Sequence, residues 1–276
     1  MKKHAIVTAC NQRHESFLAN NWYQSLVDNV NLADIDIVIL DFGLSDWVKK
    51  AMPTASFLLC KSKGHIVNAR YKELLRVVDK GYDQILMCDG GDIIFQDDIS
   101  ALFAENASSF RCVVEGSGSI RYDRAVVGRL ASKYKKDVVK TIANKNLINV
   151  GFIIAPAERF KWLCSSMLEM LPSLDVWGFD TMIINYLLYK EGFVELPHKN
   201  NFIITNYWNE GVKVVHDVFL STSGEVIPVV HNAGGWRVLR PVLGFGYKKG
   251  VNKLSVTYYL AKPFTRVANI ILRLVR

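Results

Sequence analysis

Apolar residues along this chain fall into two rhythms. Short unbroken runs, HAIVTAC (4–10), DIVILDFG (36–43), SFLLC (56–60), QILMCD (84–89) and CVVEG (112–116), have the length and β-branched content of strands buried on both faces. Between the earlier runs the apolar positions recur every three or four residues instead. That spacing covers roughly residues 15–29, and a second stretch, HIVNARYKELLRVVDKG (65–81), closes on Gly81, a natural helix stop. Strand and helix alternating in this order predict βαβ units, hence an α/β fold with a mostly parallel sheet flanked by helices. INVGFIIAP (148–156) and EVIPVVHN (225–232) read as further strands.

Composition adds limits to that picture. A chain of 276 residues, 50% of them hydrophobic, can bury a large core and needs only one domain with a decorated end. Its five cysteines (Cys10, Cys60, Cys88, Cys112, Cys164) are widely spaced and never form a CxxC pair. That usage speaks against a disulfide framework or a zinc site and fits a reducing cytosol. The N-terminus enters the first strand too early for a secretory leader, and no apolar run reaches 18 residues. Neither export nor a membrane span is therefore expected.

Charge divides the chain. After Glu225 there is no acid, whereas Arg237, Arg240, Lys248, Lys249, Lys253, Lys262, Arg266, Arg273 and Arg276 account for nine of the 34 basic residues. Residues 1–225 keep 25 bases against 26 acids, so the whole excess of +8 belongs to the end of the chain. Beyond Pro263, FTRVANIILRLVR sets Phe264, Val267, Ile270, Ile271, Leu274 and Val275 on one stripe, with Tyr258 and Tyr259 before it. The division expected is a body over 1–247 and a basic amphipathic tail over 248–276. Such a tail suits an anionic membrane surface; docking on the protein's own core is the other use of an apolar stripe.

Candidate chemistry centres on DGGD (89–92), where a buried run stops at two acids with no side-chain bulk between them. In an open α/β sheet, ligands sit beyond the carboxyl ends of the strands. Two carboxylates held together there repel unless a cation lies between them, and the glycines would let a ligand approach the main chain. An Asp-Gly turn between strands is the plain alternative. Asp97 and Asp98 read as caps for a helix near Ser100.

The motifs stand in company along the chain: AIVTACN (5–11), VILDFGLS (38–45), NARYKELL (68–75), DGGDIIFQDDISAL (89–102), INVGFIIAP (148–156), WGFDTMIINYLLY (177–189), LPHKNNF (196–202) and VVHNAGGW (229–236). Over about residues 4–240 this series resembles the nucleotide-sugar-dependent glycosyltransferases of the GT-A fold. The nearest resemblance is to the retaining family that includes glycogenin and the bacterial lipooligosaccharide galactosyltransferases. It implies a sugar transferred from a nucleotide sugar, a UDP-sugar in the first place, to a bacterial surface-polysaccharide, lipopolysaccharide or lipid-linked glycan acceptor. It also implies Mn²⁺ or Mg²⁺, no nucleic-acid partner, and a place on the inner face of the plasma membrane.

Carried onto this chain, the resemblance implies metal ligation by Asp89, Asp92 and His231, with a DxxD spacing in place of the usual DxD. Donor contacts fall on Thr8, Ala9, Asn11, Arg70, Asn149, Gly151, Gly234, Arg237 and Arg240, and catalytic roles on Asp180 and Asn185. Thr181 and Met182 stand where the family has Gln and Asp, so the retaining outcome is weakened at that point. Duller uses exist for each: His231 as an ordinary hydrogen-bonding histidine, Asp180 as a helix cap, Arg70 on a solvated helix face. A non-catalytic glycan-binding or scaffold subunit of the same fold and a nucleotidyltransferase are the competing functions. A phosphatase of the haloacid-dehalogenase type would need its acids on the first strand, which here ends Thr-Ala-Cys-Asn.

Overall fold

The computed structural model describes residues 2–119, 128–143, 145–204, 211–233 and 242–255. The unbroken apolar runs form the centre of a seven-stranded sheet. Its strands are β1 (His4–Cys10), β2 (Ile35–Asp41), β3 (Ala55–Leu59), β4 (Gln84–Cys88), β6 (Arg111–Ser119), β7 (Asn146–Pro156) and β8 (Val194–Glu195), and β5 (Ile93–Phe95) belongs to a smaller sheet. The order is β3-β2-β1-β4-β7-β6-β8. β1 runs parallel to β2 and β4, β3 parallel to β2, and β8 parallel to β6, while β7 is antiparallel to both β4 and β6. The expected mostly parallel, mixed sheet is thus found.

Alternation along the strands splits the core in two. Ile6, Ile37, Ile39 and Leu86 face one side and pack with Leu18, Trp22 and Leu26. Ala5, Val7, Val38, Leu40, Ile85 and Met87 face the other. On that side the covering helices are α4 (Ile66–Val78), α6 (Ala157–Met170) and α7 (Phe179–Glu191), with α5 (Ser132–Ile142) beside them. The segment expected as one helix over 15–29 is α1 (Glu15–Phe17), a π-helical stretch (Leu18–Tyr23) and α2 (Gln24–Asn29), and α3 (Asp46–Ala51) follows β2. In the π-helical stretch the buried Asn21 accepts from the backbone N–H of Tyr247 at 2.9 Å, a distant contact that local periodicity cannot register.

The expected strand 225–232 shrinks to β12 (Val229–His231), because Pro228 has no N–H for a ladder. β12 lies between β5, antiparallel, and β9 (Phe202–Ile203), parallel. The described residues also include two hairpins: β10 (Lys213–Val215) with β11 (Val218–Leu220), and β13 (Val242–Leu243) with β14 (Lys253–Leu254). Of the expected tail, residues 248–255 pack on the body: Lys248 pairs with Asp28 at 2.9 Å, and Asn252 accepts from Gly246 N–H at 3.0 Å. Its amphipathic stripe, with Tyr258 and Tyr259, lies outside the described residues. Among the described residues no helix is long and apolar enough to cross a membrane.

Candidate functional site

Three elements bring the acids and the histidine together. Asp89 directly follows β4, and its N–H donates to Gly151 O at 2.9 Å, which carries the β4–β7 pairing one residue beyond the strand. Asp92 leads into β5. The antiparallel register that sets Ile93 opposite His231, together with Asn232 N–H donating to Asp92 O at 2.9 Å, fixes Asp92 beside the end of β12. His231 Nε2 thereby lies 3.3 Å from Asp92 Oδ1 and 3.8 Å from Asp89 Oδ2. One ligand atom from each of the three residues falls within 4.8 Å of the others.

The far side of the histidine is tied down by a chain of amides. Gly151 N–H donates to an atom of the Asn149 side chain at 3.0 Å, so that atom is the oxygen, and the Asn149 amide nitrogen donates to Glu115 at 2.9 Å. The atom of Asn201 that meets Asn149 Oδ1 at 3.0 Å must then be nitrogen, which turns Asn201 Oδ1 toward His231 Nδ1, also at 3.0 Å. Nδ1 is left as the donor. In the neutral ring, Nε2 then presents its lone pair to the two acids, the tautomer a metal ligand requires. Two carboxylates and a bare imidazole nitrogen at this separation fit a divalent cation of the Mn²⁺ or Mg²⁺ kind.

Glycine at 151 keeps this space open. A Cβ there would stand 2.5 Å from Asp89 Oδ2 and 2.9 Å from His231 Cε1. Of the two glycines of the DGGD turn, Gly90 serves the protein's own packing, while Gly91 leaves ordinary contact room for a side chain. A Cβ on Gly90 would lie 2.6 Å from Thr8 Oγ1, and one on Gly91 3.4 Å from the His14 ring. Their expected use, letting a ligand come close to the main chain, gives way at Gly90 to the close approach of β1.

Arg70 is not on a solvated face. It is 5% exposed; Nη1 donates to Asp89 Oδ1 at 2.5 Å, and Nη2 lies 3.4 Å from Asp180 Oδ2. Burial alone would lower its guanidinium, but the neighbouring Tyr71 hydroxyl and the charges of Asp89 and Asp180 outweigh burial and hold it above its ordinary range. Asp89 sits below the usual carboxylate range: burial pushes it up, and Arg70 and His231 more than offset that. Asp180 ends on the other side. Burial raises it, Arg70 compensates only in part, and the Asp89 charge adds to the rise. His231 is raised, because Asp92 and Asp89 outweigh the lowering by burial.

Asp180 stands in the first turn of α7, whose cap is Gly178 at φ +94°, with no side-chain cap bond. Its alternative use as the helix cap is therefore not the one found. Asn185, expected to share a catalytic role, is turned away from the cluster. Its Oδ1 accepts from Ile148 N–H at 2.8 Å, and its amide nitrogen donates to Ile148 O at 3.0 Å and Thr181 O at 2.8 Å. With every polar atom engaged by backbone, it clips α7 to β7.

Thr8 is fully buried with Oγ1 unbonded, while Ala9 and Asn11 at the end of β1 are half-buried. Gly234, Arg237 and Arg240 lie outside the described residues. Asp98 accepts from Ser100 N–H at 2.9 Å, but the short helix Ser100–Phe103 has Ile99 as its cap and no side-chain cap bond, so the capping expected of Asp97 and Asp98 is not the one found. Sequence reasoning missed Asn201 and Glu115. The first was in view within LPHKNNF, but nothing local says which asparagine meets the histidine.

No protein-family model and no curated protein sequence matches the chain. Solved structures do. Galactosyltransferase LgtC in complex with donor and acceptor sugar analogs matches with TM-score 0.54 and 16% identity, over 96% of this chain and 95% of its own. The glycosyltransferase GlyE of Streptococcus pneumoniae, in its apo form, matches with TM-score 0.56 and 14% identity over 96% of this chain, and the apo bifunctional glycosyltransferase WbbM with 0.55 and 14% over 84%. This chain has the GT-A glycosyltransferase fold. It spans 60% of GlyE and 46% of WbbM, less than two thirds of either. Within the GT-A frame, Asp89, Asp92 and His231 sit at the carboxyl end of β4, the edge where an open α/β sheet takes its ligands.

Proposed function

We propose that the protein is a metal-dependent glycosyltransferase. It moves a sugar from a nucleotide sugar, in the first place a UDP-sugar, to a bacterial surface-polysaccharide or lipid-linked glycan, with retention favoured over inversion. The observation that carries this reading is the Asp89, Asp92 and His231 trio joined through Arg70 to Asp180. A divalent cation held by those three residues would offset the charge that develops on the diphosphate as the anomeric bond breaks. Asn201 keeps His231 Nε2 free to ligate. Arg70 holds Asp180 and Asp89 at opposite ends of one guanidinium, so a carboxylate and the ligand set keep a fixed separation. Asp180 then takes the acceptor hydroxyl proton or faces positive charge at the anomeric centre.

Thr181 and Met182 favour a second reading, a non-catalytic glycan-binding subunit on the same fold. The tail would bring the protein to the anionic inner face of the plasma membrane, where lipid-linked acceptors are presented. The test incubates the protein with Mn²⁺ and a panel of nucleotide sugars and follows slow donor hydrolysis, with thermal shifts for UDP, ADP, GDP and CMP beside it. Hydrolysis of a UDP-sugar with UDP as the best stabiliser is the expected result. Protection by UDP without hydrolysis selects the non-catalytic reading, and stronger protection by GDP or CMP overturns the donor class.

A further inference from the structure

The two C-terminal hairpins carry apolar residues on their outer faces as well as their inner ones. In β10 and β11, Val214 and Phe219 point inward, while Lys213, Val215, Val218 and Leu220 share the other face by register, where a bridge sets Val226 beside Leu220. The outer face of a half-buried hairpin ordinarily carries polar side chains. Here Val215 is 45% exposed and Val226 40%. The turn holds His216 and Asp217 at φ +47° and +66°, the paired left-handed conformation of a tight hairpin. From it Asp217 reaches the second hairpin, accepting from the N–H of Gly250 and, at 3.1 Å, from that of Asn252. That hairpin exposes Leu243 at 61% and Val251 at 48%, and pairs Leu243 with Lys253.

We propose that this two-hairpin face rests on an anionic lipid bilayer. The proposal builds on the membrane reading of the tail and adds a contact made by the folded body. Apolar side chains of this kind, with Lys213, Lys249 and Lys253 outnumbering Asp217 and the exposed Glu225 on the same segments, make a surface that enters the headgroup region and attracts anionic lipid. Charge decides against the other occupants. Residues 256–276 carry Lys262, Arg266, Arg273 and Arg276 and no acid, so docking them here would set base against base. A second copy would set two faces of net positive charge against each other. An anionic surface attracts the face and the tail alike, and β14 delivers the chain to residue 256 from this same hairpin.

The test is co-sedimentation of the full chain with vesicles of phosphatidylcholine and phosphatidylglycerol, and with phosphatidylcholine alone. The face variant combines Val215→Thr, Val218→Thr, Leu243→Thr and Val251→Thr, which puts a β-branched, strand-favouring residue at all four positions so that the hairpins still form. An unchanged Tm verifies that. The tail variant combines Ile270→Ser, Ile271→Ser and Leu274→Ser. The face variant should lose affinity for the anionic vesicles by about tenfold or more, since a few methyl groups of buried apolar surface account for that much. Wild-type affinity in the face variant, with loss in the tail variant, overturns this proposal and leaves the tail reading standing. The reverse pattern supports the face and removes the tail. No binding by the wild-type chain, equal binding to neutral vesicles, or a wild-type dimer that the face variant dissolves also overturns it.

Discussion

Among the described residues, Arg70 and Arg111 are both buried and are held in opposite ways. Arg111, 0% exposed, donates to Leu102 O and, at 2.7 Å, to Glu105 O through Nη1, to Gln84 Oε1 through Nη2, and to Ser109 O through Nε at 3.3 Å. Each acceptor is neutral. Burial with no carboxylate partner pulls its guanidinium down to about 10, and the more distant charge of Glu105 opposes this only in part. Arg70 is balanced by two carboxylates and is raised. The first arginine satisfies backbone around β4 and β6, and so holds shape. The second sits between acids that would repel each other without it, next to a candidate cation site. Equal burial therefore tells nothing of role, and the chemistry of the partners does.

The comparison breaks first at Arg111. Arg111→Met strands Gln84, Leu102 and Glu105 oxygens in the interior, and the loss in unfolding free energy should reach about 3 kcal/mol or more. Activity per folded molecule should be unchanged. Arg70→Met leaves Asp89 and Asp180 uncompensated, so it should also cost stability, but it should differ in losing most donor hydrolysis per folded molecule. Chemical denaturation and hydrolysis rates on the same two proteins decide it, and two variants alike in both readouts would erase the distinction.

Asp180 comes next. Asp180→Asn keeps shape and removes the charge, so turnover should fall by about a hundredfold, the scale of acid–base assistance. Because burial has raised this group against Arg70, its charge adds nothing to stability at neutral pH. The variant should be as stable as the wild type or more so. A stable variant with full turnover would reduce Asp180 to a structural acid.

Asn201→Ala tests the histidine's tautomer. Without Asn201 Oδ1 the ring loses its orienting acceptor, and affinity for Mn²⁺, read by calorimetry, should weaken by about ten- to a hundredfold. Unaltered affinity would mean that the amide chain to Glu115 is packing alone.

These residues show how far the sequence could be read. The strands around DGGD were legible because β1, β2 and β4 are buried on both faces and leave long apolar runs. The meeting of the trio was legible through its motifs, since DGGD and HNAGGW were singled out together and the fold brings one ligand atom of each of the three residues within 4.8 Å of the others. Asn201 and Glu115 were not, because they meet the site through strand pairings that join residues 34 and 30 apart. The bonding of Asn185 was hidden for a related reason: a motif records which residue is present, and only the fold shows that the backbone of Ile148 and Thr181 engages its amide. A solvated face stood as the alternative for Arg70, beside its expected donor contact, because helix periodicity marks a polar position and cannot see two acids arriving from β4 and α7.

The smallest effect concerns a carboxylate that contrasts with Asp180. Glu73, 3% exposed, accepts from Lys61 N–H at 3.2 Å and Ser62 N–H at 2.9 Å, and pairs with Arg76 at 2.7 Å. Burial pushes it up, but those bonds prevail and hold it below the ordinary carboxylate range. The sign follows from linkage. A carboxyl whose folded pKa lies below its unfolded value of about 4.3 gives stability that is fully present above that value. It is lost as pH falls through the folded value. Glu73→Gln should therefore lower stability at neutral pH by about 1 kcal/mol, the scale of a charge-assisted bond exchanged for a neutral one. The gap from wild type should close under strongly acid conditions, where Glu73 is protonated in both states. Denaturation midpoints at neutral and acid pH measure this. A gap that stays constant with pH would show that the side chain's shape, and not its charge, anchors the start of α4.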